Sequence, residues 1–123
     1  MTRRVLPNRR ENSETIFHVR PCDSTRFCRK MTEYYIGFGR FADGSLAEVF
    51  VSCSHPTTEL ADTIRDASVL LSIALQYGTP LAVLRAAITR NHNEGAASLI
   101  GEVLDVLHAR LAEDELKTGE QNG

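Results

Sequence analysis

Alternating apolar and polar positions predict strands in the first half of the chain. Residues 32–41 and 46–53 are rich in aromatic and β-branched side chains, and they flank a turn at 42–45. The Asp-Gly pair in that turn tolerates the positive φ that a tight hairpin requires. In the second run one face is wholly small and apolar, and we expect it to pack against helices: Ala47, Val49, Val51 and Cys53.

Two smaller features complete the predicted sheet. Residues 15–19 form a short β-prone run that ends at Arg20-Pro21, because proline cannot donate to a sheet ladder. Gly37 and Gly39 interrupt the strand at 32–41, which indicates a bulge or a close backbone approach there. The first half is therefore expected to form a small antiparallel sheet of about three strands.

From residue 57 the apolar spacing changes to three and four. This period predicts a first helix that begins at Thr57 or Thr58 and ends before Gly78. Three further apolar residues widen its stripe, so we expect this helix to be buried on more than one side: Val69, Leu70 and Ile73. The core stripe itself comprises Leu60, Ile64, Ala67, Leu71, Ala74 and Leu75.

Two more helices are predicted beyond Gly78. Thr79 is the expected cap of the second helix, with Pro80 at its first helical position. Residues 91–95 break the pattern, and a third helix follows with Ile100, Val103, Leu104, Leu107 and Leu111 inward. The fold class is α+β, a small antiparallel sheet followed by three helices packed on one face. The expected organisation is a basic arm at 1–13, a domain at 14–112 and an acidic flexible tail at 113–123.

Composition narrows the class of protein. The chain has 123 residues, 42% of them hydrophobic, which suits one domain. An eight-fold α/β barrel needs about 250 residues. No apolar stretch approaches the ~20 residues of a membrane span, and the start of the chain lacks the apolar core of a signal peptide. With only 3 cysteines, a cytoplasmic location is expected and a membrane association is not.

The net charge of −2 conceals an asymmetry along the chain. Residues 1–30 are basic, and residues 31–123 are acidic. A basic arm on an acidic body could contact a nucleotide, a nucleic acid or an acidic protein, and its candidate binding residues are Arg3, Arg4, Arg9 and Arg10. The alternative is a solvated arm, or one folded back onto its own domain.

Metal and catalytic chemistry find little support in the residues. Cys22, Cys28, Cys53 and His55 are chemically able to hold zinc, but their spacing fits no familiar zinc finger. We expect loop thiols and one core thiol, with no metal site. Cys28 lies among basic residues that can lower a thiol pKa, yet no base can be assigned to it. No catalytic residue is predicted.

Two segments carry a resemblance to a known family. Residues 39–51, GRFADGSLAEVFV, include an acidic residue before a hydrophobe, and residues 65–88 contain the helix end Leu75-Gln76-Tyr77-Gly78-Thr79-Pro80. With Leu6-Pro7-Asn8-Arg9-Arg10 upstream, the chain resembles the TSCPD domain, found at the C-terminal region of cobalamin-dependent (class II) ribonucleotide reductases and in small free-standing relatives. A glycine- and lysine-bearing loop common in the family is absent, since residues 52–57 read SCSHPT.

The resemblance implies a role in deoxyribonucleotide supply for DNA synthesis. It implies adenosylcobalamin only for the related full-length reductase, and no cofactor for this chain alone. Because 123 residues cannot hold a reductase barrel, we expect an accessory or stand-alone domain that is not catalytic by itself. The implied partner is a reductase large chain. The other hypothesis is a small protein- or nucleic-acid-binding module that acts through the basic arm, or a homodimer formed through an unpaired sheet edge.

Overall fold

The described part of the chain contains three strands followed by three helices. The structure, a computed structural model, describes residues 2–5, 13–21, 31–53, 58–92 and 95–122. The strands are β1 (Ser13–Pro21), β2 (Met31–Arg40) and β3 (Leu46–Cys53), and the helices are α1 (Thr58–Gln76), α2 (Leu81–Ala87) and α3 (Leu99–Asn122). This order confirms the α+β fold class. The contacts divide the chain into two compact units, Met1–Gly78 and Thr79–Gly123.

The sheet of the first unit is an antiparallel meander in the order β1-β2-β3. Ile16 pairs with Ile36, which in turn pairs with Val51. The turn between β2 and β3 closes with a bond from the Phe41 N–H to the Ser45 C=O (2.8 Å), and Gly44 has a φ of 88°. The register shifts between Gly39 and Arg40, which confirms the predicted irregularity near the strand glycines.

Alternation decides which face of the sheet is buried. On β2 burial alternates from Glu33 to Phe38, and Glu33 and Tyr35 are exposed. On β3 the predicted apolar face is confirmed, because Ala47 and Val49 are buried and Val51 and Cys53 are half-buried. The large buried side chains of β2 are Tyr34, Ile36 and Phe38.

Helix α1 packs against β3 in the same unit. Its buried positions include Ile64, Leu71 and Leu75, as the helical spacing predicts. The expectation that the helix is buried on more than one side is wrong, because Val69, Leu70 and Ile73 are all exposed. A helix that lies along one strand buries one stripe only, so side chains outside that stripe stay accessible to solvent.

The second unit is built around α2 and α3, which contact each other. Arg90 forms an isolated bridge with Ala96 where the sequence predicts a break. Pro80, in an extended conformation, is the N-cap of α2 and makes no side-chain capping bond. The predicted threonine cap is therefore wrong by one residue, because the proline ring fixes the extended entry into the helix. The packing of these two helices on the sheet stays a prediction.

The segment predicted as an acidic flexible tail, 113–123, is helical through Asn122 as part of α3, and its flexibility stays a prediction. Arg110 lies 3.7 Å from Asp114, and Lys117 lies 3.7 Å from Glu113, in both cases one turn apart. Such i,i+4 pairs of opposite charge favour continuing the helix where no apolar stripe demands it.

None of the described helices is both long enough and apolar enough to cross a bilayer.

Candidate functional site

Polar side chains of α1 bond the outer edge of β3. The Val49 N–H donates to the Ser72 hydroxyl oxygen (2.9 Å), and the same hydroxyl donates to the Val49 C=O (3.1 Å). One turn further on, the Gln76 amide Nε2 donates to the Ala47 C=O (3.2 Å). Because β3 is at the end of the sheet, these bonds satisfy backbone groups that no strand pairs.

The N-terminal arm lies against the same end of α1. The Arg3 guanidinium Nε donates to the Gln76 side-chain oxygen, and the Arg4 N–H donates to the Gln76 C=O (2.9 Å). The side chain of Gln76 is only 2% exposed, so its two polar ends are satisfied by the arm and by β3. Gln76 therefore joins three segments of the first unit.

Arg4 is held separately by the β2–β3 turn. Its guanidinium carbon lies 3.6 Å from the centre of the Phe41 ring. Its two terminal nitrogens reach the Ser45 hydroxyl (3.1 Å) and the Asp43 carboxylate (3.3 Å). Bonds from Ser45, with a smaller contribution from Arg4, hold the pKa of the Asp43 carboxyl below its usual value. Arg4 therefore makes its cation–π contact and its charged contact with the β2–β3 turn of the same chain.

A cleft of about 310 Å³ lies between the arm, β3 and α1. Pockets of about 300–1,000 Å³ are the usual size for small organic ligands. Charged residues at this cleft come from three elements, Arg3 from the arm, Glu48 from β3 and Arg65 from α1. Its apolar wall includes Phe50, Val69 and Ile73, each at least one-third exposed.

Positively charged side chains outnumber negatively charged ones at the cleft. Glu48 is 3% exposed, so this carboxylate is a buried part of the wall. Arg65 is exposed, and among the described residues it makes no hydrogen bond or ion pair. Two guanidinium groups against one carboxylate leave an excess positive charge beside an apolar wall. This combination suits a ligand with an anionic group and a flat apolar part.

The side chains that line the cleft suit ligand binding better than nucleophilic catalysis. Its two hydroxyls are committed to backbone carbonyls, Ser72 to Val49 and Ser68 to Ile64 (2.8 Å). No histidine or cysteine is among the described residues that line it. A nucleophile with a positioned base is therefore not formed by these side chains.

Two of the four arginines predicted as binding residues lie in the described part of the chain. Arg3 and Arg4 contact the first unit itself, whereas Arg9 and Arg10 lie outside the described residues. Contacts of this kind match the alternative in which the arm folds back onto its own domain.

Of the candidate zinc ligands, only Cys53 lies in the described part of the chain, and Cys22, Cys28 and His55 lie outside it. Burial raises the pKa of the Cys53 thiol, which opposes thiolate formation at neutral pH. Within the described ranges no cluster of metal-ligating side chains is found.

Three residues of the cleft escaped the sequence analysis as site residues. Ser68, Ser72 and Gln76 recur every fourth position on a helix whose other inward residues are apolar. Polar side chains in such an inward line need hydrogen-bond partners, and this line was the available signal. Arg65 gave no such signal, because an exposed arginine on a helix is ordinary.

Comparison with protein-family models, curated proteins and solved structures finds no significant match to this chain.

Proposed function

We propose that this chain is an accessory, non-catalytic domain of the ribonucleotide reductase system, resembling the C-terminal region of the cobalamin-dependent enzymes. One observation carries the proposal. The two segments of the resemblance meet, because Gln76 of the helix end donates to the Ala47 C=O in the Ala47-Glu48-Val49-Phe50 strand (3.2 Å). Both Glu48 and Gln76 line the same cleft. Motif residues that converge on one concave surface favour a shared binding role.

The ligand we assign to the cleft is a nucleotide. Guanidinium groups bind phosphate oxygens through charge-assisted bonds, and Arg65 is the exposed one that has no described partner. Phe50, 40% exposed, belongs to the apolar wall of the cleft, and such a wall suits the base of a nucleotide. The volume of about 310 Å³ is at the lower end of the range for small-molecule sites, which suits a mononucleotide.

Titration calorimetry with nucleoside diphosphates and triphosphates tests the nucleotide assignment. Arg65→Ala is expected to weaken binding about tenfold, the effect of losing one charged hydrogen bond. Arg110→Ala is the matched control, because it removes an arginine of α3 that pairs with Asp114. Absence of binding at about 1 mM nucleotide, or equal binding by the two variants, would contradict the assignment.

The partner is tested by affinity purification from the native host. We expect a cobalamin-dependent reductase large chain to copurify with the tagged protein, and its absence would remove the reductase association. A second assay supplies adenosylcobalamin, a dithiol reductant and a ribonucleotide to the isolated protein. No deoxyribonucleotide is expected, and its formation would overturn the accessory role.

A further inference from the structure

The guanidinium of Arg3, which lines the cleft, is bonded through its Nε. That nitrogen donates to the side-chain oxygen of Gln76, and no described residue bonds the two terminal nitrogens of Arg3. An arginine carries its N–H donors in a rigid plane, and most of them are on those two nitrogens. The terminal edge of the Arg3 guanidinium therefore suits two oxygens of a phosphate at once.

Gln76 fixes the orientation of this guanidinium. The Gln76 side chain is buried, and its Nε2 donates to the Ala47 C=O (3.2 Å) while its oxygen accepts from Arg3. A buried amide that is bonded at both ends keeps one orientation, and the guanidinium bonded to it is oriented before a ligand arrives. Donors that are already in position lose less conformational freedom on binding. The contact between Arg3 and Gln76 therefore prepares Arg3 for an anionic ligand.

The next residue, Arg4, anchors this part of the arm to the β2–β3 turn. Its guanidinium carbon lies 3.6 Å from the centre of the Phe41 ring, and one terminal nitrogen lies 3.3 Å from the Asp43 carboxylate. The Ser45 N–H donates to the same carboxylate (2.9 Å) and so holds it in the turn. Neither Phe41 nor Asp43 is among the described residues that line the cleft. The turn is therefore connected to the cleft through the arm, where Arg3 precedes Arg4.

We propose that Arg3 is a second phosphate-binding residue of the cleft beside Arg65, and that Asp43 positions it through Arg4. This inference rests on the nucleotide assigned to the cleft, and it adds the residue of the arm that holds the phosphate. Arg3 contacts the ligand itself, whereas Asp43 is a positioning residue. The two guanidinium groups come from separate elements, and together they suit the negative charge of a nucleoside diphosphate.

Titration calorimetry with ADP and the full-length chain tests the role of Arg3. Arg3→Ala is expected to weaken binding about tenfold near pH 8 and only about threefold near pH 5, because a terminal phosphate gains its second negative charge at about pH 6. Glu48 also lines the cleft and is present in both proteins, so its ionisation does not distinguish them. A loss of the same size at both pH values would mean that Arg3 only supports the shape of the cleft, and it overturns the proposal.

The sign of a second substitution tests the positioning role of Asp43. Asp43→Asn is expected to weaken ADP binding about threefold, because a neutral amide holds Arg4 less firmly. Asparagine suits the turn before Gly44 as well as aspartate does, so the turn is retained. Glu113→Gln is the matched control, since it removes an exposed carboxylate that pairs with Lys117 on α3. Loss of a negative charge by itself favours an anion, so the control should bind ADP equally well or slightly better.

A double variant decides whether Asp43 acts through Arg3. In the Arg3→Ala background, Asp43→Asn should change the ADP affinity no more than the control does, because the guanidinium that it positions is gone. An equal loss with and without Arg3, or an Asp43→Asn variant that binds like the control, overturns the positioning role.

The outcomes also separate this inference from the nucleotide assignment. If Arg3→Ala binds ADP like the unmodified chain while Arg65→Ala binds it more weakly, the inference is overturned and the assignment stands. If the unmodified chain binds no ADP at about 1 mM, both are overturned.

Discussion

Ser72 satisfies both backbone groups of Val49 with a single hydroxyl, accepting from the N–H and donating to the C=O. The side chain thereby does for β3 what a fourth strand would do at that position. Hydroxyl groups on helices usually bond the preceding turn of their own helix, as Ser68 does to Ile64. Ser68 therefore bonds its own helix, whereas Ser72, one turn later, bonds β3.

Replacing Ser72 by alanine should destabilise the protein by about 1–3 kcal/mol, because two buried backbone groups lose their partner. Urea unfolding gives the free energy of unfolding for this comparison. Ser52→Ala is the matched control, since Ser52 lies on the same strand but is exposed. Equal stability of the Ser72 variant and the control would mean that water replaces the hydroxyl at the edge of β3.

The contact between Arg3 and Gln76 should give a measurable coupling in a double-mutant cycle. We expect Arg3→Ala and Gln76→Met together to cost less than the sum of the two single changes, by about 0.5–1.5 kcal/mol. Gln76→Met alone also strands the Ala47 C=O, which explains why it should be the costlier single change. Strict additivity in urea unfolding would show that the arm contributes nothing through this bond.

Asp105 should make stability depend on pH in the acidic range. Bonds from Arg90, at 2.6 and 2.9 Å, and from Arg85, at 3.0 Å, hold the pKa of its carboxyl below the usual 3.8, although burial opposes them. A lowered pKa in the folded state contributes stability above the unfolded value, and this contribution is lost as the pH falls below 3.8 toward the folded pKa.

Acid unfolding of the unmodified chain and of Asp105→Asn measures this contribution. The difference in stability between them should be largest near neutral pH and shrink as the pH falls below 3.8. If the stability difference between the two proteins stays constant from neutral to acidic pH, the effect of the substitution does not come from the ionisation of Asp105.

A side chain at Gly101 of α3 would meet close neighbours. A Cβ built on it would lie 2.8 Å from the Ile88 Cδ1 and 3.1 Å from the Ala96 Cβ. Overpacking costs about 1–3 kcal/mol, and the higher helix propensity of alanine returns about 1 kcal/mol, so Gly101→Ala should destabilise the protein by about 1 kcal/mol. Adding Ile88→Val removes the nearer atom and should recover part of the loss in thermal unfolding. A double variant no more stable than Gly101→Ala would assign the strain to Ala96.

Local patterns were sufficient to predict the elements of this fold but not their contacts. Alternation at Ala47 and Val49 marked the buried face of β3, and Asp43-Gly44 marked the turn, because each signal acts between near neighbours. Exposure of Leu70 was not predictable in the same way, since helical periodicity shows that a face is apolar but not that something covers it. The helix through Asn122 also depends on side-chain pairs more than on an apolar stripe.

The cleft was predictable only in fragments. Gln76 and Glu48 stood out as parts of two separate motifs, yet their meeting depends on how α1 lies along β3. Arg3 was chosen for its charge and not for a contact with Gln76, because a bond between residues 73 positions apart leaves no local trace in the sequence. Long-range hydrogen bonds of this kind are decided by tertiary packing.

The bond between Arg3 and Gln76 also has a consequence for the order in which the first unit assembles. It closes a loop of 73 positions, and the entropy lost in such a closure is repaid only when β3 and α1 are already in place. The arm should accordingly dock last during folding and detach first when the unit begins to open. Hydrogen exchange would detect this sequence, with the Arg4 amide, bonded to the Gln76 C=O, exchanging sooner than the Val49 amide held by Ser72.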